Sequence, residues 1–146
     1  MSQPNALHEI GIPQVDSEHA MQFQLFSGLE QALAAGDRES ALQMLVRLYD
    51  FSDAHFGSEQ VLMRFHSYPG YAAHEREHGD LLEELRQLID LTRESDLSEL
   101  PERAESVRRW LVSHIDSSDR AFASYLRRVA PASLSPSGAS AGEPAV

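Results

Sequence analysis

Cysteine is absent from the 146 residues. Its absence excludes a disulfide framework, a thiolate metal site and a cysteine nucleophile, and it fits a cytoplasmic protein. Met1 to Gly11 contain no basic stretch followed by an apolar run, so no signal peptide is expected. The longest apolar runs are far too short to span a bilayer, and no membrane association is expected. Basic residues are scarce, 12 against 23 acidic ones, for a net charge of −11. Such a chain is repelled by nucleic acid and by anionic membrane surfaces, and it favours a site that attracts cations. Hydrophobic residues at 42% and charged residues at 24% are those of a globular protein, long enough for a core of its own.

The patterning predicts four helices and no strand. The first runs from about Asp16, with Asp16 or Ser17 as N-cap, to Ala35 before Gly36; its apolar stripe reads His19, Phe23, Phe26, Leu29, Leu33. The second starts near Asp37 or Ser40 and stops before Pro69, with a stripe of Ala41, Met44, Leu48, Phe51, His55, Glu59 and Leu62. The third starts near Tyr71 and fades around Thr92, with His74, His78, Leu81, Leu85 and Leu88 on one face. The fourth follows Pro101 and runs to Val129, through Val107, Leu111, His114, Ile115, Phe122, Tyr125 and Leu126. Short connections between long helices imply an all-α, up-down-up-down antiparallel four-helix bundle over residues 1–129. Residues 130–146, small, polar and proline-rich, read as a disordered tail.

The informative feature is where the histidines fall. Five of the seven, His19, His55, His74, His78 and His114, lie on apolar stripes, with Glu59 and Asp119 beside them. A buried ionised carboxylate is costly unless it is paired or bound to a metal, so these groups facing one interior need a common explanation. His55 and Glu59 are four apart, as are His74 and His78, and each pair projects to one side of its helix. His114 and Asp119 are five apart, which on a regular helix turns them about 140° from each other. That spacing works if Asp119 bridges to a second metal, or if the helix carries a π-bulge. Imidazole with carboxylate suits iron, zinc, copper or manganese. Five imidazoles and two carboxylates are too many for one ion and suit two ions sharing the carboxylates.

In order and spacing, the motifs GIPQVDSEH (11–19), HFGSE (55–59) followed by Met63, YP (68–69), HEREH (74–78) and WLVSHIDSSD (110–119) resemble the hemerythrin family, over residues 11 to about 126. The resemblance implies a protein that is not an enzyme and binds dioxygen reversibly at two non-haem iron ions, as carrier, store or sensor. It implies that His74, His78 and His114 hold one iron and His19 and His55 the other, with Glu59, Asp119 and an oxo or hydroxo group bridging them. The second iron would keep one position open, with Phe56, Met63, Trp110, Leu111 and Ile115 lining the dioxygen pocket. The chain departs from the family at Gln60, where a second acid is common, at Arg120-Ala121-Phe122, where Lys-x-Tyr is frequent, and in having no tryptophan near the N-terminus. None of these positions is a ligand. His8 and His66 match no family ligand.

Three other readings compete. Nitric oxide or redox state is a second candidate input, for a sensing module acting through a protein partner that the sequence does not identify. Residues 74–78 also spell HExxH, the zinc hydrolase signature with Glu75 as base, but no third ligand follows where position 84 is glutamate. A ferritin-like di-iron oxidase would need Glu-x-x-His on two helices, and only Glu75-x-x-His78 fits.

Overall fold

The computed structural model describes residues 8–94 and 96–131. The expected tail therefore lies outside the described residues from position 132 onward. Helix α1 (Pro13–Ala34) begins three residues before the expected start at Asp16. Pro13 takes the first helical position, where a missing N–H costs nothing and the fixed φ is already helical. Asp16 is not the cap. Its carboxylate reaches back to accept from the N–H groups of Ile10 (2.8 Å) and Gly11 (3.1 Å). The Arg127 guanidinium also donates to the Ile10 carbonyl (3.1 Å), so the lead-in segment is clamped between both ends of the chain.

Helix α2 (Arg38–Phe65) starts under Asp37, whose side chain accepts from the Ser40 N–H (3.1 Å). Both α1 and α2 stop in the same way. The N–H of Gly36 bonds to Leu33 and that of Asp37 to Ala32; the N–H of Ser67 bonds to Arg64 and that of Tyr68 to Met63. These are Schellman closures, which need a left-handed residue at the turn. Gly36 supplies it freely at φ 66°, whereas Ser67 is forced to φ 53°. The Tyr125 hydroxyl holds that turn by donating to the His66 carbonyl (2.6 Å). Left-handed geometry costs a residue with a Cβ roughly 1–2 kcal/mol, and glycine returns part of that as unfolded-chain entropy. Ser67→Gly should therefore raise stability by about 0.5–1 kcal/mol, read as a higher denaturation midpoint with an unchanged slope; a lower midpoint would refute it.

Helix α3 (Tyr71–Glu94) follows a short turn. The fourth rod is helix α4 (Leu100–His114), a π-helical turn (Ile115–Asp119) and helix α5 (Arg120–Val129). Backbone angles stay right-handed helical across both joins, so the rod is continuous. α1 packs on α2 and α4, α2 on α3, and α3 on α4, the ring of neighbours of an up-down-up-down bundle. No strand occurs among the described residues, and no helix there is long and apolar enough to cross a membrane.

The interior is layered. Phe26, Leu29, Leu45, Leu48, Leu81, Leu85, Leu88, Leu100 and Val107 fill one end, and Ile10, Val15, Met63, Phe122 and Leu126 are buried toward the other. Between these layers, in each of the four rods, come the buried histidines and carboxylates. The first, third and fourth expected stripes hold in outline, although Phe23 and Tyr125 are only partly buried. In α1 Gln22 is fully buried in place of its neighbour Phe23. In α2 the line Ala41, Leu48, His55, Glu59 holds, but Leu45, Ser52, Phe56 and Met63 are buried while Met44, Phe51 and Leu62 lie at the margin. The helix is turned by about one residue from the expected orientation, since it faces both α1 and α3 and its apolar pattern is broad enough to fit either setting.

Candidate metal centre

All seven sequence-identified candidate ligands are buried, each with 1–3% of its surface exposed. α1 brings His19, α2 His55 and Glu59, α3 His74 and His78, α4 His114, and the π turn ends on Asp119. The π turn resolves the five-residue spacing. It widens the helix between His114 and Asp119 so that both side chains enter the same interior, with His114 Nε2 3.2 Å from Asp119 Oδ1.

The carboxylate oxygens divide the histidines into two sets. Glu59 Oε1 is 3.1 Å from His78 Nε2 and 3.5 Å from His74 Nε2, while Glu59 Oε2 is 3.1 Å from His55 Nε2 and 3.6 Å from His19 Nε2. Asp119 Oδ1 is 2.8 Å from His74 Nε2, while Asp119 Oδ2 is 3.0 Å from His19 Nε2. Glu59 thus turns one oxygen to His74 and His78 and the other to His55 and His19, while Asp119 turns one to His74 and His114 and the other to His19.

These close approaches are not aligned as hydrogen bonds. The Nε2 atoms of all five histidines, Glu59 Oε1 and both Asp119 oxygens are buried without a hydrogen-bond partner. Such groups each cost about 1–3 kcal/mol if nothing meets them. Buried donor atoms gathered at this spacing without hydrogen bonds among them suit a metal. Neighbouring donors on a metal at about 2.1 Å are separated by about 3.0 Å in octahedral geometry, and the observed separations are 2.8–3.6 Å. The donor atoms of Glu59, His74, His78, His114 and Asp119 lie within 4.8 Å of one another, as do those of His19, His55 and Glu59. The residues present fit metal ions held by nitrogen and oxygen.

The outward ring nitrogens are held by residues that sequence reasoning did not identify as functional. Glu18 accepts from His55 Nδ1 (2.6 Å), Gln60 Oε1 from His78 Nδ1 (2.9 Å), and Glu77 Oε1 lies 3.5 Å from His114 Nδ1. Ser118 in the π turn donates to the Glu77 carboxylate (2.8 and 2.9 Å). An oxygen acceptor on Nδ1 keeps the proton there and leaves the Nε2 lone pair free for a metal. Two of these acids immediately precede a candidate-ligand histidine in sequence, yet each serves a histidine on a neighbouring helix, because adjacent residues point about 100° apart.

Metal-free, the centre balances its charge with protons. Burial alone would lower the His19 and His74 pKa values, but the Asp119 and Glu59 carboxylates outweigh it and push both up to about 9. Burial likewise opposes ionisation of Glu59 and Asp119, yet the surrounding imidazoles hold both below the usual carboxylate range. Burial dominates at His78 and lowers it.

Phe56, Met63, Leu111 and Ile115 are fully buried, and Trp110 is partly buried. Phe56 stacks on the His78 ring at 3.9 Å and Trp110 on the His114 ring at 5.1 Å, both nearly parallel. A groove between α1 and α2, lined by Ile12, Val15, Glu18, Leu62 and Phe65, reaches Glu59. Glu75 of the HExxH stretch is exposed, accepts from the Tyr71 hydroxyl, and is absent from the donor clusters. His8 pairs with Asp116 (3.2 Å) on the surface.

The comparisons with known proteins agree with this geometry. The family described as Hemerythrin HHE cation binding domain matches residues 10–126. The chain is similar to a bacteriohemerythrin of Methylococcus capsulatus, 29% identical over 107 residues, 73% of this chain and 82% of that one. It is similar to a bacteriohemerythrin of Stenotrophomonas maltophilia, 27% identical over 81% of this chain and 76% of that one. A crystal structure of a hemerythrin mutant superposes with a TM-score of 0.72 at 27% identity, covering 77% of this chain and 86% of that one. With a family match spanning nearly all of the described bundle, the chain belongs to the hemerythrin family.

Proposed function

We propose that this bundle holds two non-haem iron ions and binds dioxygen reversibly. The observation that carries the reading is the division of the Glu59 and Asp119 oxygens between two sets of imidazoles. A pair of iron(II) ions supplies two electrons that a single dioxygen molecule can take up and give back. His74, His78 and His114 with Glu59 Oε1 and Asp119 Oδ1 would make five protein donors for one ion. His19 and His55 with Glu59 Oε2 and Asp119 Oδ2 would make four for the other, which therefore has room for a small ligand.

The residues around the donors suit binding rather than turnover. Phe56, Leu111 and Ile115 keep bulk water from the centre, which slows proton delivery to a bound ligand. Phe56 and Trp110 pin two imidazoles by stacking. The α1/α2 groove offers a route for a small molecule to the Glu59 side.

The test is to load the metal-free chain anaerobically with iron(II), then admit and remove dioxygen. Two irons per chain and a reversible colour change are expected; one iron per chain, or no spectral response, would overturn the reading. Glu75→Gln should leave iron content and the colour change at wild-type levels, since that carboxylate is exposed and outside the centre. A peptide-hydrolysing activity of the zinc-loaded wild type that Glu75→Gln abolishes would count for the hydrolase reading.

A further inference from the structure

Gln22 is a polar side chain with no exposed surface, one turn along α1 from His19. Its amide nitrogen donates to Ser52 Oγ on α2 (3.0 Å), and Ser52 is also fully buried. With the nitrogen fixed there, the amide oxygen is left as an acceptor, and Gln22 Oε1 is buried without a partner. One other outlying atom of the centre shares that condition: His19 Nδ1 is buried and unpaired. The two are complementary. If Nε2 of His19 faces a metal, its single proton must sit on Nδ1, which is then a donor.

We propose that Gln22, oriented by Ser52, is the positioning residue for His19, its Oε1 accepting the Nδ1 proton through one buried water. The assignment rests on the two-metal reading above. Residues three apart on a helix have Cβ atoms about 5–6 Å apart, within reach of one bridging water. The centre repeats this device elsewhere: Glu18 serves His55 and Gln60 serves His78. Here the acceptor is a neutral amide that is itself clamped, so it fixes the ring without adding a negative charge beside Asp119 and Glu59. An amide buried in an otherwise apolar stripe costs stability, and a positioning role accounts for its presence.

The test uses zinc(II) as a redox-silent probe, titrated into the metal-free full chain against a chromophoric chelator. Wild type should take up two zinc ions. Gln22→Leu should weaken one of them by about 10–100-fold, the usual effect of losing such a partner, while the other keeps its affinity. The metal-free Gln22→Leu protein should melt within a few degrees of the wild-type temperature, since the unpaired amide oxygen goes together with one hydrogen bond to Ser52. A purely structural role would move both quantities the same way. Gln22→Glu keeps an acceptor and should restore the weakened zinc. Ser52→Ala, which frees the amide without changing α1, should weaken the same zinc. Unchanged affinity for both ions in Gln22→Leu and in Ser52→Ala would overturn the assignment, as would equal weakening of both ions with a lowered metal-free melting temperature. A wild-type chain that binds fewer than two zinc ions would instead overturn the two-metal reading on which it rests.

Discussion

Asp119→Ala should strip the centre of both metals under conditions where His19→Ala still holds one. Asp119 turns Oδ1 to His74 and His114 and Oδ2 to His19, so its loss removes a donor from each proposed ion. His19 stands only on the four-donor side. A tetrahedral protein site binds its metal with about 10–16 kcal/mol, so one ligand accounts for about 3 kcal/mol, or about 100-fold in affinity. At iron(II) concentrations that just saturate wild type, Asp119→Ala should carry well under one iron per chain. His19→Ala should carry one, held by His74, His78, His114 and the two carboxylates. Metal analysis after desalting reads both. An Asp119→Ala protein that retains two irons would refute the shared-carboxylate arrangement, and a His19→Ala protein that loses both would refute the partition.

The cluster of candidate ligands was legible in the sequence because a donor set shows in residue type and period. A histidine or carboxylate on an apolar stripe stands out against leucine, and the stripes of α1, α3 and α4 fix which way those residues face. The step that spacing left open was His114 to Asp119. A shared carboxylate and a helical distortion both accommodate five residues, and the structure contains a π turn over Ile115–Asp119. Nothing in IDSSD announces it, because a π turn is chosen by what the side chains must reach and not by local propensity.

The residues supporting the ligands were hidden for a different reason. Glu18 and Glu77 are ordinary acids on half-exposed helix faces, and their partners are histidines on other helices, 37 residues away in each case. Such pairings depend on how the helices are rotated against one another, which is also why the α2 margin was misplaced by about one residue. Gln22 and Ser52 were hidden by their apolar neighbours Phe23 and Phe51, which satisfy the stripes one residue away from the positions that are buried. The early boundary of α1 had a signal too, in Pro13, but Asp16 offered a competing cap and instead binds the backbone of Ile10 and Gly11.

Removing metal should cost the fold far more than any single surface change. A ligand present at about a thousand times its dissociation constant stabilises the native state by about 4 kcal/mol, so two such sites contribute about 8 kcal/mol. At about 2–4 °C per kcal/mol for a chain of this size, a chelator should lower the melting temperature by about 15–30 °C. The gap should also widen with pH. In the metal-free protein His19 and His74 are raised to about 9, above the ordinary value of 6.5 that they regain on unfolding. Their contribution is complete below about pH 6.5 and is lost as pH rises through about 9. Metal must displace those protons, so its hold strengthens over the same interval. Calorimetry at pH 6.5 and pH 9, with and without chelator, should show the metal-free form falling while the loaded form holds. A melting temperature that chelation moves by no more than a few degrees, at either pH, would mean that the buried donors do not depend on a metal.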